Sequence, residues 1–213
     1  NLNDVYPVIG SPPTFSAEEN QTSVGNITAS DVEDDPLTYE LSGADESSLS
    51  ISSSGFITFS SVPNYEVKAS YSVTVMVNDG VNTASQDLSI SIIDVNDIPL
   101  ILSNSAFSAV ENQTGVGTII AEDEDGDSLT YTLRGTDVAL FSISDEGALS
   151  FITAPDYEIK NSYSIIVAVS DDQLTNSQDL TINITDVYET YDVNVDAFAS
   201  RYFVLDSDVP NTT

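Results

Sequence analysis

The sequence contains no cysteine, no histidine and no tryptophan, and it is poor in basic side chains: Lys68, Arg134, Lys160 and Arg201 stand against 35 acidic residues. Each absence excludes something. Without cysteine no disulfide can staple the fold, and no thiolate can act as a nucleophile or hold a soft metal. Without histidine the usual zinc ligand and the usual general base are gone. A formal net charge of −31 opposes binding to nucleic acid, which needs Lys and Arg to displace phosphate counterions. It also opposes adsorption to anionic membranes. No apolar run reaches the roughly 20 residues of a membrane-spanning helix, so membrane insertion is not expected of this stretch. No leader peptide is recognisable, and the chain reads as part of a mature protein or as an excised fragment.

What is present is enough apolar side chain for real cores, 40% of residues, and a large excess of carboxylate. Such charge repels itself unless cations or salt offset it. Most of these groups are expected to be a solvated surface, and some to hold hard cations; their positions must decide which.

The strongest signal is an internal repeat. Residues 15–94 align with 107–186 without a gap at an offset of 92, and 42 of the 80 aligned pairs are identical. A solenoid unit is shorter, and 92 residues suffice for a domain. The expected organisation is a first domain with its linker over 1–97, a second over 98–186, and a C-terminal extension or further domain from 187 to 213. In the latter, Tyr191–Phe198 alternates like a strand.

Each copy reads as seven short strands. In the second copy these are 106–110, 116–121, 129–133, 140–143, 148–152, 162–169 and a last strand carrying Leu180, Ile182 and Ile184. No amphipathic helix is apparent. Seven alternating strands in about 90 residues predict an all-β chain of two tandem Greek-key β-sandwiches. The cysteine pair and core tryptophan of an antibody domain are missing.

Acidic elements recur at fixed places around these strands. Glu19-Asn20 matches Glu111-Asn112. Asp31-Val32-Glu33 matches Asp123-Glu124-Asp125. Asn64-Tyr65-Glu66 matches Asp156-Tyr157-Glu158, and Asp79 matches Asp171. Asp94-Val95-Asn96-Asp97-Ile98-Pro99 lies between the copies, where Pro99 stiffens the chain.

Together these elements resemble the cadherin repeat, which carries Glu-Asn, Asp-x-Asp, Leu-Asp-Arg-Glu, a late Asp and an Asp-x-Asn-Asp-Asn linker at the same places. The resemblance covers about 185 of the 213 residues. The run Asp123–Tyr131 looks like the bacterial branch of cadherin-like domains. In that family calcium sits between consecutive domains. The resemblance therefore implies Glu19, Asn64 and Glu66 as ligands from the first domain, and Asp94, Asn96 and Asp97 from the linker. The carbonyls of Val95 and Ile98 would join them, with Asp123, Asp125 and Asp171 from the second domain. Asn64 stands where the family has Asp, and Ile98 where it has Asn. Two half-sets recur at the outer ends: Asn3, Asp4, Asp31, Glu33 and Asp79 at one, Glu111, Asp156, Glu158, Asp186 and Glu189 at the other. They are expected to bind fewer ions, or to bind them more weakly. Calcium, which takes six to eight oxygen ligands, suits such a donor set.

Other readings have less support. An EF-hand starting at Asp123 would need Gly and Glu where Ser128 and Arg134 stand, and flanking helices. Paired carboxylates such as Asp123 and Asp125 could serve a glycosidase, but the pattern occurs twice, where an enzyme usually needs one site. The Asn-x-Thr triplets at Asn20, Asn26, Asn112, Asn183 and Asn211 arise readily by chance. Tyr65 and Tyr157 read as structural, and Lys68 and Lys160 as local charge partners. The expected function is a non-enzymatic, calcium-dependent adhesion or spacer module, extracellular or at the cell surface, with a protein partner, homophilic or heterophilic. A carbohydrate-binding module for surface polysaccharide is the alternative, and the missing tryptophan counts mildly against it.

Overall fold

The computed structural model describes residues 5–188. The chain divides between Val95 and Asn96 into two compact units. The sequence-based expectations for Asn3, Asp4, Glu189 and the segment beyond lie outside the described residues.

Unit 1 contains β1 (Val8–Ile9), β2 (Thr14–Glu18), β3 (Ser23–Asn26), β4 (Ala29–Ser30), β5 (Thr38–Ser42), β6 (Leu49–Ile51), β7 (Phe56–Phe59), β8 (Ser70–Asn78) and β9 (Thr83–Ile93). Unit 2 repeats the series as β10 (Leu100–Ile101), β11 (Ala106–Val110), β12 (Gly115–Thr118), β13 (Ala121–Glu122), β14 (Thr130–Arg134), β15 (Phe141–Ile143), β16 (Ala148–Phe151), β17 (Ser162–Ser170) and β18 (Thr175–Thr185). In unit 1 a four-stranded sheet of order β2-β9-β8-β5 faces a three-stranded sheet β3-β7-β6, and β1 pairs β4. Unit 2 has the equivalent sheets β11-β18-β17-β14 and β12-β16-β15, with β10 paired to β13.

The structure bears out the all-β tandem sandwich and refines its strands. The stretch read as one strand over 116–121 is two, β12 and β13, and β13 pairs with β10 rather than with the sheet that holds β12. Residues 138–140, at the start of the strand expected over 140–143, form a 3-10 turn.

The core follows from alternation. Inward side chains of β8 and β9, such as Val75, Val77 and Ile90, are fully buried, as are Ile165, Val167, Val169 and Ile182 in unit 2. Most of their neighbours on the same strands are exposed or half-buried, giving the period of two expected for a sheet with one wet face, with Ala168 of β17 the buried exception. Unit 2 adds a stacked aromatic group, with Phe141 and Phe151 ring centres 4.3 Å apart and Tyr163 packed edge-on 5.0 Å from Phe151. Burial pushes the Tyr163 hydroxyl pKa above its usual value.

Two features place the acidic residues. The first is that β2 runs parallel to β9, from Thr14↔Ser89 to Glu18↔Ile93. Both strands therefore end at the same edge of the sheet, and the residues following each end, Glu19 and Asp94, become neighbours. The second is the turn between β7 and β8, which approaches that edge through the Asn20 N–H donated to the Pro63 carbonyl at 3.1 Å. Unit 2 repeats this with β11, β18 and the Asn112 N–H to the Pro155 carbonyl at 2.9 Å.

Candidate metal centres

Glu19 is almost completely buried, at 1% exposure, and Glu111 at 2%. A buried carboxylate is costly unless hydrogen-bonded, and backbone donors supply this. Glu19 Oε2 accepts the Tyr65 N–H at 2.7 Å and Oε1 accepts the Val95 N–H at 2.8 Å. Glu111 accepts the Tyr157 and Val187 N–H groups at 2.9 and 2.6 Å. The asparagine after each glutamate has φ +60°, a left-handed conformation that Asn tolerates better than most residues. This explains the Glu-Asn pair locally: the first residue ties three segments, and the second turns the chain away.

Around each glutamate a carboxylate cluster forms. Oxygens of Glu19, Glu66 and Asp94 lie within 4.8 Å of one another, and so do those of Glu111, Glu158 and Asp186. Glu66 comes from a turn whose first residue, Asn64, accepts the Val67 N–H through Oδ1 at 2.7 Å. Asp156 does the same for Ile159 at 3.1 Å. This local role suits Asn as well as Asp, since both accept through a side-chain oxygen.

The second set of predicted ligands lies around Asp79 and Asp171. In unit 1, Asp79 Oδ1 accepts the Val81 and Asn82 N–H groups at 2.7 and 2.6 Å. Hydrogen bonds from the Asn82 and Val81 backbone hold its pKa below the ordinary carboxylate value. Its Oδ2 is buried and has no hydrogen-bond donor. Asp31 is alike: Oδ1 accepts the Glu33 N–H at 2.8 Å, while Oδ2 is buried without a donor. Glu33 is exposed and contributes its backbone N–H to this turn.

In unit 2 the linker residues join the equivalent group. Asp171 Oδ2 accepts from the Asn96 side-chain amide at 2.9 Å, and Oδ1 accepts the Gln173 and Leu174 N–H groups. Burial alone would raise the Asp171 pKa, but the Asn96 amide and these backbone donors outweigh it and hold it low. Asp125 Oδ2 accepts the Asp97 N–H at 2.7 Å. Asp123 Oδ2 is buried without a donor. Val95 and Ile98 are exposed.

This donor set fits calcium. It is all oxygen and mostly carboxylate, as a hard cation requires. The buried oxygens of Asp31, Asp79 and Asp123 lack hydrogen-bond donors, and such an oxygen is rare in a native protein unless an ion or water meets it. Each three-carboxylate cluster places like charges a few ångströms apart, a repulsion that a divalent ion would reverse.

Some contributors escape a reading by motif. Gln173 donates to Asn96 Oδ1 at 2.6 Å, and Asn176 donates to the Pro99 carbonyl at 2.9 Å, so both pin the 96–99 segment to unit 2. Their counterparts in unit 1 are Val81 and Ala84. The available signal was this difference between aligned copies. The lysines are local charge partners as expected. Lys68 pairs with Asp45 and lies over the Tyr71 ring at 4.6 Å, while Lys160 pairs with Asp137 at 2.5 Å and lies over Tyr163 at 4.7 Å.

Comparison with known proteins agrees with this architecture. The family model described as bacterial Ig domain matches twice, over residues 3–91 and 96–185. The Fat-like cadherin-related tumor suppressor homolog of Drosophila melanogaster is 28% identical over 202 residues, covering 89% of this chain and 4% of that protein. Chitinase A of Pseudoalteromonas piscicida is 27% identical over 181 residues, covering 84% of this chain and 21% of that protein. The chain thus spans a small part of each relative. The crystal structure of human protocadherin-24 EC1-2, form II, superposes with a TM-score of 0.63 at 20% identity, covering 87% of this chain and all of that one. With two matches of one family model and a cadherin repeat-pair fold, the chain belongs to the bacterial Ig domain family, as a tandem pair of cadherin-like β-sandwiches.

Proposed function

We propose that the chain is a calcium-dependent adhesion or spacer module of a larger surface or secreted protein, in which calcium stiffens the joint between the two units. The observation that carries this reading is that one short segment, 94–97, reaches both acidic groups, through the Asp94 carboxylate, the Asn96 side-chain amide and the Asp97 backbone N–H. Asp94 belongs to the Glu19–Glu66 cluster. Two and three residues later, Asn96 bonds Asp171 and Asp97 bonds Asp125. An ion held by Asp94 is therefore tied by a few bonds of backbone to the oxygen network of unit 2. In this proposal Glu19, Asn64, Glu66, Asp94, Asn96, Asp97, Asp123, Asp125 and Asp171, with the Val95 and Ile98 carbonyls, supply the ligands. The ion supplies charge neutralisation, and the protein performs no chemistry. The half-sets at the outer ends would hold fewer ions, or hold them more weakly.

Extracellular calcium modules bind at roughly 10⁻⁴–10⁻³ M. Such a joint is loaded outside a cell and empty inside one, which favours an extracellular or cell-surface location. Among the described residues no helix is long and apolar enough to cross a membrane.

The test is solution scattering with calcium and with chelator, beside Asp97→Ala. The wild type is expected to be extended and narrowly distributed in calcium and broadly distributed in chelator, and the variant broad in both. Identical profiles in all three conditions would overturn the reading. A second reading, a carbohydrate-binding module, is favoured by the similarity to a protein named chitinase. Self-association in calcium without sugar supports adhesion, whereas binding to a defined glycan supports the second reading.

A further inference from the structure

The solvent face of the four-stranded sheet in unit 1 carries a shallow groove of about 230 Å³ lined by Thr38, Glu40, Met76, Asn78 and Thr83. Strand register builds it. Thr38, Asn78 and Thr83 form one row across β5, β8 and β9, and Glu40, Met76 and Ser85 form the next. These side chains alternate with the buried Val75 and Val77, so they point away from the core. The Asn78 side-chain amide donates to the Thr83 hydroxyl at 2.7 Å, and the Thr38 hydroxyl donates to the Asn78 main-chain carbonyl at 3.2 Å, which orders one wall. Glu40 lies exposed on the edge strand, and the half-buried Met76 supplies the apolar surface between the two rows.

We propose that this groove binds a single ring of a neutral, hydroxyl-rich oligosaccharide. Asn78 Oδ1 is taken by the Gly80 N–H at 2.8 Å, so the Glu40 carboxylate offers the acceptors and the Thr83 hydroxyl and second Asn78 N–H offer donors to adjacent sugar hydroxyls, with Met76 as the apolar contact for the ring's C–H groups. The volume is below the roughly 300–1,000 Å³ that encloses a drug-sized ligand, so one ring is held and the rest of the polymer remains in solvent. The net charge of −31 and Glu40 itself reject anionic polysaccharide. The equivalent sheet face of unit 2 carries different side chains. Thr130 and Thr175 are retained, but Glu40, Met76 and Asn78 become Thr132, Ala168 and Ser170, and Ala168 is only 2% exposed. The proposal is independent of the calcium joint, because every residue it uses belongs to one sheet of unit 1.

The chain has a single methionine, so ¹³C-methyl-methionine labelling gives one resonance that reports on the groove. The full chain is titrated with cellohexaose, chitohexaose and maltohexaose, and with an alginate oligosaccharide as the anionic control, in calcium and in chelator. The expected result is a saturable shift with at least one neutral oligosaccharide and none with alginate. Apparent affinity should fall at least tenfold in both Glu40→Gln and Asn78→Ala. No shift with any neutral sugar, a shift with alginate alone, or unchanged affinity in both variants overturns the proposal. Loss of the titration in chelator alone would instead place sugar binding under calcium, at the joint or at the Asp79 turn beside Asn78, and overturn the claim of independence. Scattering changes without a methyl shift would leave the joint intact and remove the groove.

Discussion

Glu19 Oε1 accepts the N–H of Val95 at 2.8 Å across 76 residues of sequence. One buried side chain thus joins the end of β2 to the segment leaving β9, and its other oxygen holds the Tyr65 N–H. Glu19→Ala leaves two backbone donors without their acceptor. The loss is expected to be about 2–6 kcal/mol, from roughly 1–3 kcal/mol for each unsatisfied buried group. Urea denaturation should then split into two transitions, with unit 2 unchanged.

The carboxylate cluster predicts a metal-binding result that can be read without structure. Terbium, an oxygen-seeking stand-in for calcium, should be sensitised by Tyr65, whose backbone abuts Glu19. Calcium should displace it. Glu66→Gln removes one charge from the set of Glu19, Glu66 and Asp94, and should weaken calcium at that cluster about tenfold, equivalent to ~1.4 kcal/mol. Unaltered titration would exclude Glu66 as a ligand.

Removing metal should loosen the joint and leave the sandwiches folded. The buried clusters of both units are apolar side chains, and among the described residues no proposed ligand other than the four buried carboxylates Glu19, Asp79, Glu111 and Asp171 is part of the interior. Circular dichroism in chelator is expected to retain the β signal with a lower melting temperature. Collapse to a coil signal at 25 °C would show that the folds themselves require the ion.

The two lysine pairs give a pH dependence. The Lys68 ammonium and the Ser72 N–H hold Asp45 below its ordinary value of 3.8, and Lys160 and Ser164 do the same for Asp137. A lowered folded pKa contributes stability above the unfolded value, and this stability is lost as pH falls through the folded value. Stability should therefore be flat above about pH 5 and fall below about pH 4. In the Lys68→Met, Lys160→Met double variant the urea midpoint should change less between about pH 5 and about pH 3. An equal change in both proteins would mean that these pairs do not set the acid limb.

Gly147 sits at φ +79°, and an added Cβ would lie 2.3 Å from the Ile119 carbonyl oxygen. Gly147→Ala must strain the backbone and displace a main-chain atom. A loss of about 2 kcal/mol or more is expected, measured as a fall in the urea midpoint of unit 2.

The sequence by itself determined the duplication, the all-β class and the places of the acidic motifs. Alternation in stretches such as Ser162–Val169 has one physical meaning, a strand with one buried face, and the repeat tests each assignment twice. Even the Lys68 and Lys160 roles were legible as local charge pairing, although Asp45 and Asp137 as their partners were not. The resemblance grouped Glu19, Glu66 and Asp94 as ligands, and only the tertiary structure decided how they meet. The parallel pairing of β2 with β9 puts Glu19 beside Asp94, and no local pattern encodes the direction in which two strands 75 residues apart will pair. The short β10–β13 pair, the donor-free oxygens of Asp31, Asp79 and Asp123, and the grip of Gln173 and Asn176 on the 96–99 segment are of the same kind. They depend on long-range approach of groups whose own sequence neighbourhoods are unremarkable. Local propensity fixes the strands, and the packing of two sheets fixes what their ends bring together.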